Sequence, residues 1–153
     1  MTLKAHVVFA TITGNNEDVA DIVTEGLEDL GAEVTQTEIS QTDAQDFEDA
    51  DICVVCAYTY NEGHLPEEGL DFFDDLGDLD LSNKVFGVAG SGDIFYEEFF
   101  NTSVDDFINQ FKKTNATKGF EGVKINLEPD EDDIEKLDEF ASSLVDTYKK
   151  ING

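Results

Sequence analysis

Arginine and tryptophan are absent from the 153-residue chain, cysteine and proline occur twice each, and no apolar stretch is long. Spanning a bilayer takes about 18 or more consecutive apolar residues, so no transmembrane helix is expected. The opening "MTLKAHVVFA" carries neither a long apolar core nor a small-residue cleavage site, so a leader is not expected either. The expectation is a soluble cytoplasmic chain. Scarcity of cations excludes more: 36 acidic side chains face 9 basic ones, all Lys, for a formal net charge of −27. Such a surface repels phosphate backbones and anionic lipid, which argues against nucleic-acid and membrane-surface roles and leaves basic protein partners. Acidity also serves solubility or a salty environment.

The two cysteines form a C-x-x-C, Cys53 and Cys56 in "DICVVCAY". Strand side chains alternate between faces, so positions three apart point oppositely and cannot readily share a disulfide or a metal. Two buried free thiols are expected, and no oxidising compartment is required. Both prolines, Pro66 and Pro129, stand where helical patterns begin.

What is present is periodic. Apolar residues make up 40% of the chain and aromatics 10%, enough for one globular domain over residues 1–153. Residues 5–10, 51–58 and 84–90 are near-continuous apolar runs, the mark of strands covered on both faces. "EVTQTEI" alternates like an edge strand, and "FEGVKINLE" supplies a fifth. Helical stripes lie between and after them: Val19, Ile22, Val23, Leu27 and Leu30, ended by Gly31; then Leu70, Phe73 and Leu76. Residues 97–113 add Phe100, Val104, Phe107, Ile108 and Phe111, with Lys112 and Lys113 in the last turn. The last helix begins near Pro129 with Asp130 to Asp133, and its stripe is Ile134, Leu137, Ala141, Leu144, Tyr148 and Ile151. Alternating strands and helices specify an α/β fold, an open five-stranded parallel sheet with helices on both faces. The acidic runs "DFFDDLGDLD" and "EPDEDD" read as solvated helix faces and helix starts rather than metal sites. Calcium-loop spacing is absent.

In such sheets ligands bind beyond the carboxyl ends of the strands. Three loops emerge there, at residues 11–16, 58–65 and 91–97. The first, "TITGNN", opens a helix whose leading N–H groups lack intrahelical acceptors and whose dipole end is positive, so it can hold a phosphate without a cation. Thr11, Thr13, Asn15 and Asn16 add hydroxyl and amide donors, and Gly14 allows close approach. Taken alone, the loop reads better as a helix cap at Thr13 or Asn15. Neither G-x-G-x-x-G nor the G-K-[ST] of a P-loop is present, so a single phosphomonoester fits better than a polyphosphate. The second loop, "AYTYNEGHLPEE", offers Tyr60, Asn61 and Gly63; the third, "AGSGDIFYEEFF", offers Gly92, Asp93 and Tyr96. Two aromatic rings on neighbouring crevice loops can sandwich a flat heterocycle.

With these loops the chain resembles the flavodoxins, small electron carriers that bind one FMN non-covalently, and the resemblance runs over nearly the whole length. It implies a flavodoxin-like three-layer sandwich with strand order 2-1-3-4-5, of which flavodoxin is the type example. The family's phosphate loop is matched by Thr11, Ile12, Thr13, Gly14, Asn15 and Asn16, with Asn16 replacing the usual Thr. The family's inner aromatic, often Trp, falls at Tyr60, and its redox-sensitive peptide at Asn61; Tyr58 or His64 could contribute instead of Tyr60. Thr59, Glu62 and Gly63 complete that loop. "SGDIFY" resembles the third loop, which implies Gly92 and Asp93 near the ring edge and Tyr96 on its outer face, with Ser91 and Phe99 also among the cofactor-binding residues. No long insertion divides the last strand, which is the short-chain pattern.

The resemblance implies a monomeric, low-potential carrier with no substrate of its own, passing electrons between a flavodoxin reductase and low-potential acceptor enzymes through their basic faces. Its alternative is a flavodoxin-like FMN subunit dedicated to one enzyme, such as a ribonucleotide reductase activator. A response-regulator receiver shares the architecture but needs acidic residues after the first strand and a phosphoacceptor Asp after the third. Those places read "ATITG" and "AYTYN". No convergent constellation of His, Ser, Cys or Lys marks a flavin enzyme. His6 reads as structural.

Overall fold

Near-continuous apolar strands can be buried only if both faces of their sheet are covered. The computed structural model, which describes residues 3–10, 15–58, 67–92, 102–126 and 129–152, has that form. Its elements are β1 (Lys4–Phe9), α1 (Asn15–Asp29), β2 (Glu33–Glu38), β3 (Ile52–Tyr58), α2 (Glu67–Leu76), β4 (Val85–Gly92), α3 (Thr102–Lys112), β5 (Thr117–Lys118), β6 (Val123–Asn126) and α4 (Glu131–Asn152). Two 3-10 turns, Ile39–Gln41 and Ala44–Asp49, lie between β2 and β3.

All pairings are parallel, in the order β2-β1-β3-β4-β5, with β6 also on β4. β5 pairs with Val85 and Phe86, and β6 with Ala89 to Gly92, so the two are successive halves of one fifth strand. The sheet thus has the expected five positions in the order 2-1-3-4-5. The fifth is broken by residues 119–122, a short jog rather than a long insertion.

Side-chain alternation sends the strands' apolar groups to two cores. Val7, Ile52, Val54, Cys56, Val85 and Ile125 pack with α1 and α4 on one face. Val8, Cys53, Val55, Phe86 and Val88 pack with the 3-10 segment, α2 and α3 on the other. Cys53 and Cys56 therefore lie on opposite faces, both free and fully buried, as their spacing requires.

α1 buries Val19, Val23 and Leu27 and stops at Gly31, whose φ of 93° is the left-handed conformation a helix end needs. The Gly31 N–H donates to the Glu28 carbonyl (3.0 Å) and the Ala32 N–H to the Leu27 carbonyl (3.0 Å), which caps the helix. α4 opens with a reciprocal cap: the Asp133 N–H donates to Asp130 Oδ1 (2.9 Å) and the Asp130 N–H to Asp133 Oδ2 (3.1 Å).

Several expectations from periodicity need correction. Leu30, Ile134 and Ile151 are exposed, at 44%, 40% and 40%. A 22-residue helix is about 33 Å long against strands of about 20–26 Å, so the ends of α4 overhang the sheet, and Leu30 stands where the chain turns away. Inside, Phe140 and Val145 join Leu137, Ala141 and Leu144, while Phe72, not Phe73, is the fully buried ring of α2. The third helix is described from Thr102, and Phe100 lies outside the described residues.

Candidate functional site

Parallel strands must all end on the same edge, and the register makes their ends level. Phe9 of β1 pairs with Cys56 of β3, Cys56 with Ala89 of β4, and Tyr58 with Ser91. β1 leaves the sheet through Ala10, whose N–H donates to the Cys56 carbonyl at 2.9 Å. Residues 11–14, 59–66 and 93–101 therefore connect adjacent strands, at one edge, to α1, α2 and α3. Asn15 and Asn16 open α1, Tyr58 ends β3, and Ser91 and Gly92 end β4. Thr11, Ile12, Thr13, Gly14, Thr59, Tyr60, Asn61, Glu62, Gly63, Asp93, Tyr96 and Phe99 lie outside the described residues, as does His64. Fold topology thus brings together the roots of the three candidate loops.

Charge is unevenly distributed about this edge. Helices that return from it have their N-termini there, and carboxylates occupy their first turns: Glu17 and Asp18 in α1, Asp105 in α3, Glu131, Asp132 and Asp133 in α4. Lys4, Lys84 and Lys118 stand at the opposite edge, on or just before strand starts; Lys112, Lys149 and Lys150 lie in the last turns of the helices that point there, and Lys113 follows α3. Lys124 and Lys136 are on the site half, and each is taken up by a carboxylate: Lys124 Nζ lies 2.7 Å from Asp105 and Lys136 Nζ 3.8 Å from Glu121. Partial burial and the neighbouring Asp105 hold the Asp106 carboxyl above the usual carboxylate range.

Groups that might have been chemical are structural. His6, 7% exposed on β1, shares a 2.8 Å hydrogen bond between Nε2 and Thr37 Oγ1 and meets Phe47 edge-on at 5.6 Å. Burial lowers its pKa, against a smaller opposing pull from Asp46, so the ring is held neutral. It borders a cavity of about 220 Å³ with Thr35 and Asp46, toward the start of β1 and away from the three loops. Burial pushes the Cys53 thiol up to about 12 and raises Cys56 as well, which leaves both inert as nucleophiles. Among the described residues no group of three or more His, Cys, Asp or Glu could hold a metal, and no helix is long and apolar enough to cross a membrane.

The family model for flavodoxin matches residues 7–140. Probable flavodoxin 2 of Bacillus subtilis (strain 168) is 38% identical over 138 residues, covering 90% of this chain and 91% of the relative. Among solved structures, a short-chain flavodoxin associated with a non-canonical PDU bacterial microcompartment is 63% identical, with a TM-score of 0.95 over 96% of this chain and 99% of the other. The flavodoxin of Streptococcus pneumoniae TIGR4 is 50% identical, with a TM-score of 0.91 over 94% and 99%. By sequence, strand order and level strand ends, this chain belongs to the flavodoxins, the FMN-binding electron-transfer proteins.

Proposed function

We propose that this chain is a low-potential carrier that takes electrons from a flavodoxin reductase and delivers them to acceptor enzymes in the cytoplasm, as a monomer. The observation that supports this reading is the charge pattern: the edge at which the three loops root carries carboxylates, and both lysines on that half are ion-paired. Thr11, Ile12, Thr13, Gly14, Asn15 and Asn16 would hold the FMN phosphate. Their donor set fits: backbone, hydroxyl and amide groups at the start of α1, with the positive end of its dipole behind them. Tyr60 or Tyr58, with Thr59, Asn61, Glu62 and Gly63, would lie against one side of the ring. Ser91, Gly92, Asp93, Tyr96 and Phe99 would supply its edge and other side.

Bound FMN supplies the redox chemistry. The chain's part is position and field. In water a carboxylate 10 Å away opposes a new negative charge by about 0.4 kcal/mol, less where salt screens it, and several such groups add toward a low potential. The same field steers the loop edge onto basic faces of partners and opposes self-association of chains of net charge −27. A subunit dedicated to one enzyme would bind the same cofactor, but a carrier that must find several partners gains more from a loop edge at which, among the described residues, no lysine is left unpaired.

The test uses purified protein. A yellow preparation, two resolved one-electron steps on reductive titration, and a rate of reduction by a reductase that falls at least about tenfold from low to high salt are expected. A colourless protein that rejects added FMN would overturn the reading, and salt-insensitive rates would remove the steering.

A further inference from the structure

α2 and α3 both return from the loop edge, one after β3 and the other after β4, and pack side by side on the same face of the sheet. Their contact includes Phe73 against Phe107, edge-on at 5.2 Å between ring centroids, and Phe72 against Phe107 at 6.4 Å. Ring contacts of this kind set the distance between two helices but are not directional along their axes. A hydrogen bond adds a directional restraint along the axis. Gln110, 7% exposed, reaches from α3 and donates an Nε2 hydrogen to the Phe73 carbonyl at 2.7 Å. That carbonyl is among the last four of α2, the set a helix cannot fully satisfy by itself.

The residue beside this bond leaves room for it. Gly77 follows α2, yet among the described residues Gly31 is the glycine with positive φ, so Gly77 is not there for a left-handed turn. A Cβ at Gly77 would stand 2.6 Å from Gln110 Nε2 and 2.9 Å from its Cδ. A side chain at position 77 would therefore have to displace the amide of Gln110 from its place against the Phe73 carbonyl.

We propose that Gln110 is a positioning residue for the flavin ring: its bond to Phe73, in the space left by Gly77, fixes the axial register of α2 against α3. Through that register it sets the relative placement of the roots of residues 59–66 and 93–101. The inference rests on the FMN reading of those loops. At about 1.5 Å per residue, Phe73 lies about 9 Å from the start of α2 and Gln110 about 12 Å from the start of α3. A slide of about 1 Å, or a tilt of about 5° over that length, moves a loop root by about 1 Å, enough to spoil stacking and edge contacts. The phosphate loop is not coupled to this bond, because α1 packs on the opposite face with α4.

The experiment compares apoprotein carrying Gln110→Met, which keeps length but removes the donor, and Gly77→Ala, which displaces the amide, with wild type and with Val145→Ala. Val145 is buried on α4, across the sheet, and its variant controls for destabilisation alone. Kd for FMN and for riboflavin, and the visible circular dichroism of bound FMN, are measured well below the melting temperatures. Both test variants should weaken FMN and riboflavin by the same factor, about five- to tenfold, and change the flavin dichroism, while Val145→Ala changes neither. Unchanged affinity and dichroism in the two test variants, or loss of FMN affinity without loss of riboflavin affinity, overturns the proposal. If Gln110→Met does not fold, Gly77→Ala decides by the same readouts. A wild type that binds no flavin overturns the site reading and this inference with it, whereas a binding wild type with equally competent variants overturns the inference alone.

Discussion

Replacing Phe47 by alanine should cost about 4 kcal/mol, although this residue lies in a segment without helical or strand periodicity. Its ring is 1% exposed and sits among three others, with centroids 5.6 Å from His6, 5.6 Å from Phe72 and 5.7 Å from Phe111. Burying a phenylalanine removes about 150–200 Å² from water, worth about 4–5 kcal/mol at roughly 25 cal/mol per Å². Part of that is retained by alanine, while the cavity and lost ring contacts add to the penalty, and core Phe→Ala changes generally fall at about 3–5 kcal/mol. For a domain of this size the melting temperature should drop by about 8–16 °C. Urea unfolding of the apoprotein measures it, since bound ligand would add its own stabilisation. Phe47→Leu should cost about 1–2 kcal/mol, and Ile134→Ala, at an exposed position, less than about 0.5 kcal/mol. An unchanged urea slope would confirm that the same surface is exposed in each variant. If Phe47→Ala costs less than about 1 kcal/mol, the 3-10 segment is not packed as described and the account of that face fails.

His6 is held neutral by burial, so its folded pKa lies below the ordinary value of 6.5. Above pH 6.5 neither state takes a proton; below it the unfolded chain protonates first, and stability falls as pH drops from 6.5 toward the folded value. The difference between wild type and His6→Leu in urea midpoints at pH 7.5, 6 and 5 isolates this slope from the carboxylates, and a difference independent of pH would contradict it. With both thiols buried and the Cys53 pKa pushed up to about 12, native protein at pH 8 should resist iodoacetamide for hours and label at both cysteines in denaturant. Mass spectrometry reads the result, and rapid labelling of native protein would refute it. Lys124→Ala, which breaks an exposed pair with Asp105, should cost less than about 1 kcal/mol yet raise the low-salt association rate with a basic reductase about twofold. Stopped-flow mixing tests it, and a slower or unchanged rate counts against steering by the loop edge.

Periodicity made most of the fold legible because burial imposes it. β3 is covered on both faces and so reads as a continuous apolar run, and α1 is covered on one face and so repeats at three and four. Errors came where burial is set by lengths rather than by pattern: Ile134 and Ile151 continue the stripe of α4 past the edge of the sheet. The 3-10 segment gave no signal, since Ala44 and Phe47 span a single short turn and show no repeat. β5 is two residues long, with both side chains exposed, and owes its strand geometry to pairing with Val85 and Phe86. Strand order was not legible from periodicity at all; it followed from the resemblance.

The candidate site was legible to the extent that strand ends are. A parallel sheet sends every β-to-α connection to one edge, so locating the ends of β1, β3 and β4 also locates the loops that could cooperate. Loop residues repeat at no fixed interval, and at Thr13 and Asn15 their types alone favour a helix cap over a phosphate cradle. What discriminates between those readings is the company the loop keeps. A cap needs one helix, whereas a nucleotide cradle needs neighbouring loops at matching strand ends. The register that pairs Phe9 with Cys56, and Tyr58 with Ser91, brings the strand ends from which such loops would start to one edge. The same topology makes Gln110 consequential: a bond between the far ends of α2 and α3 can influence two loops at once because both helices start at the loop edge.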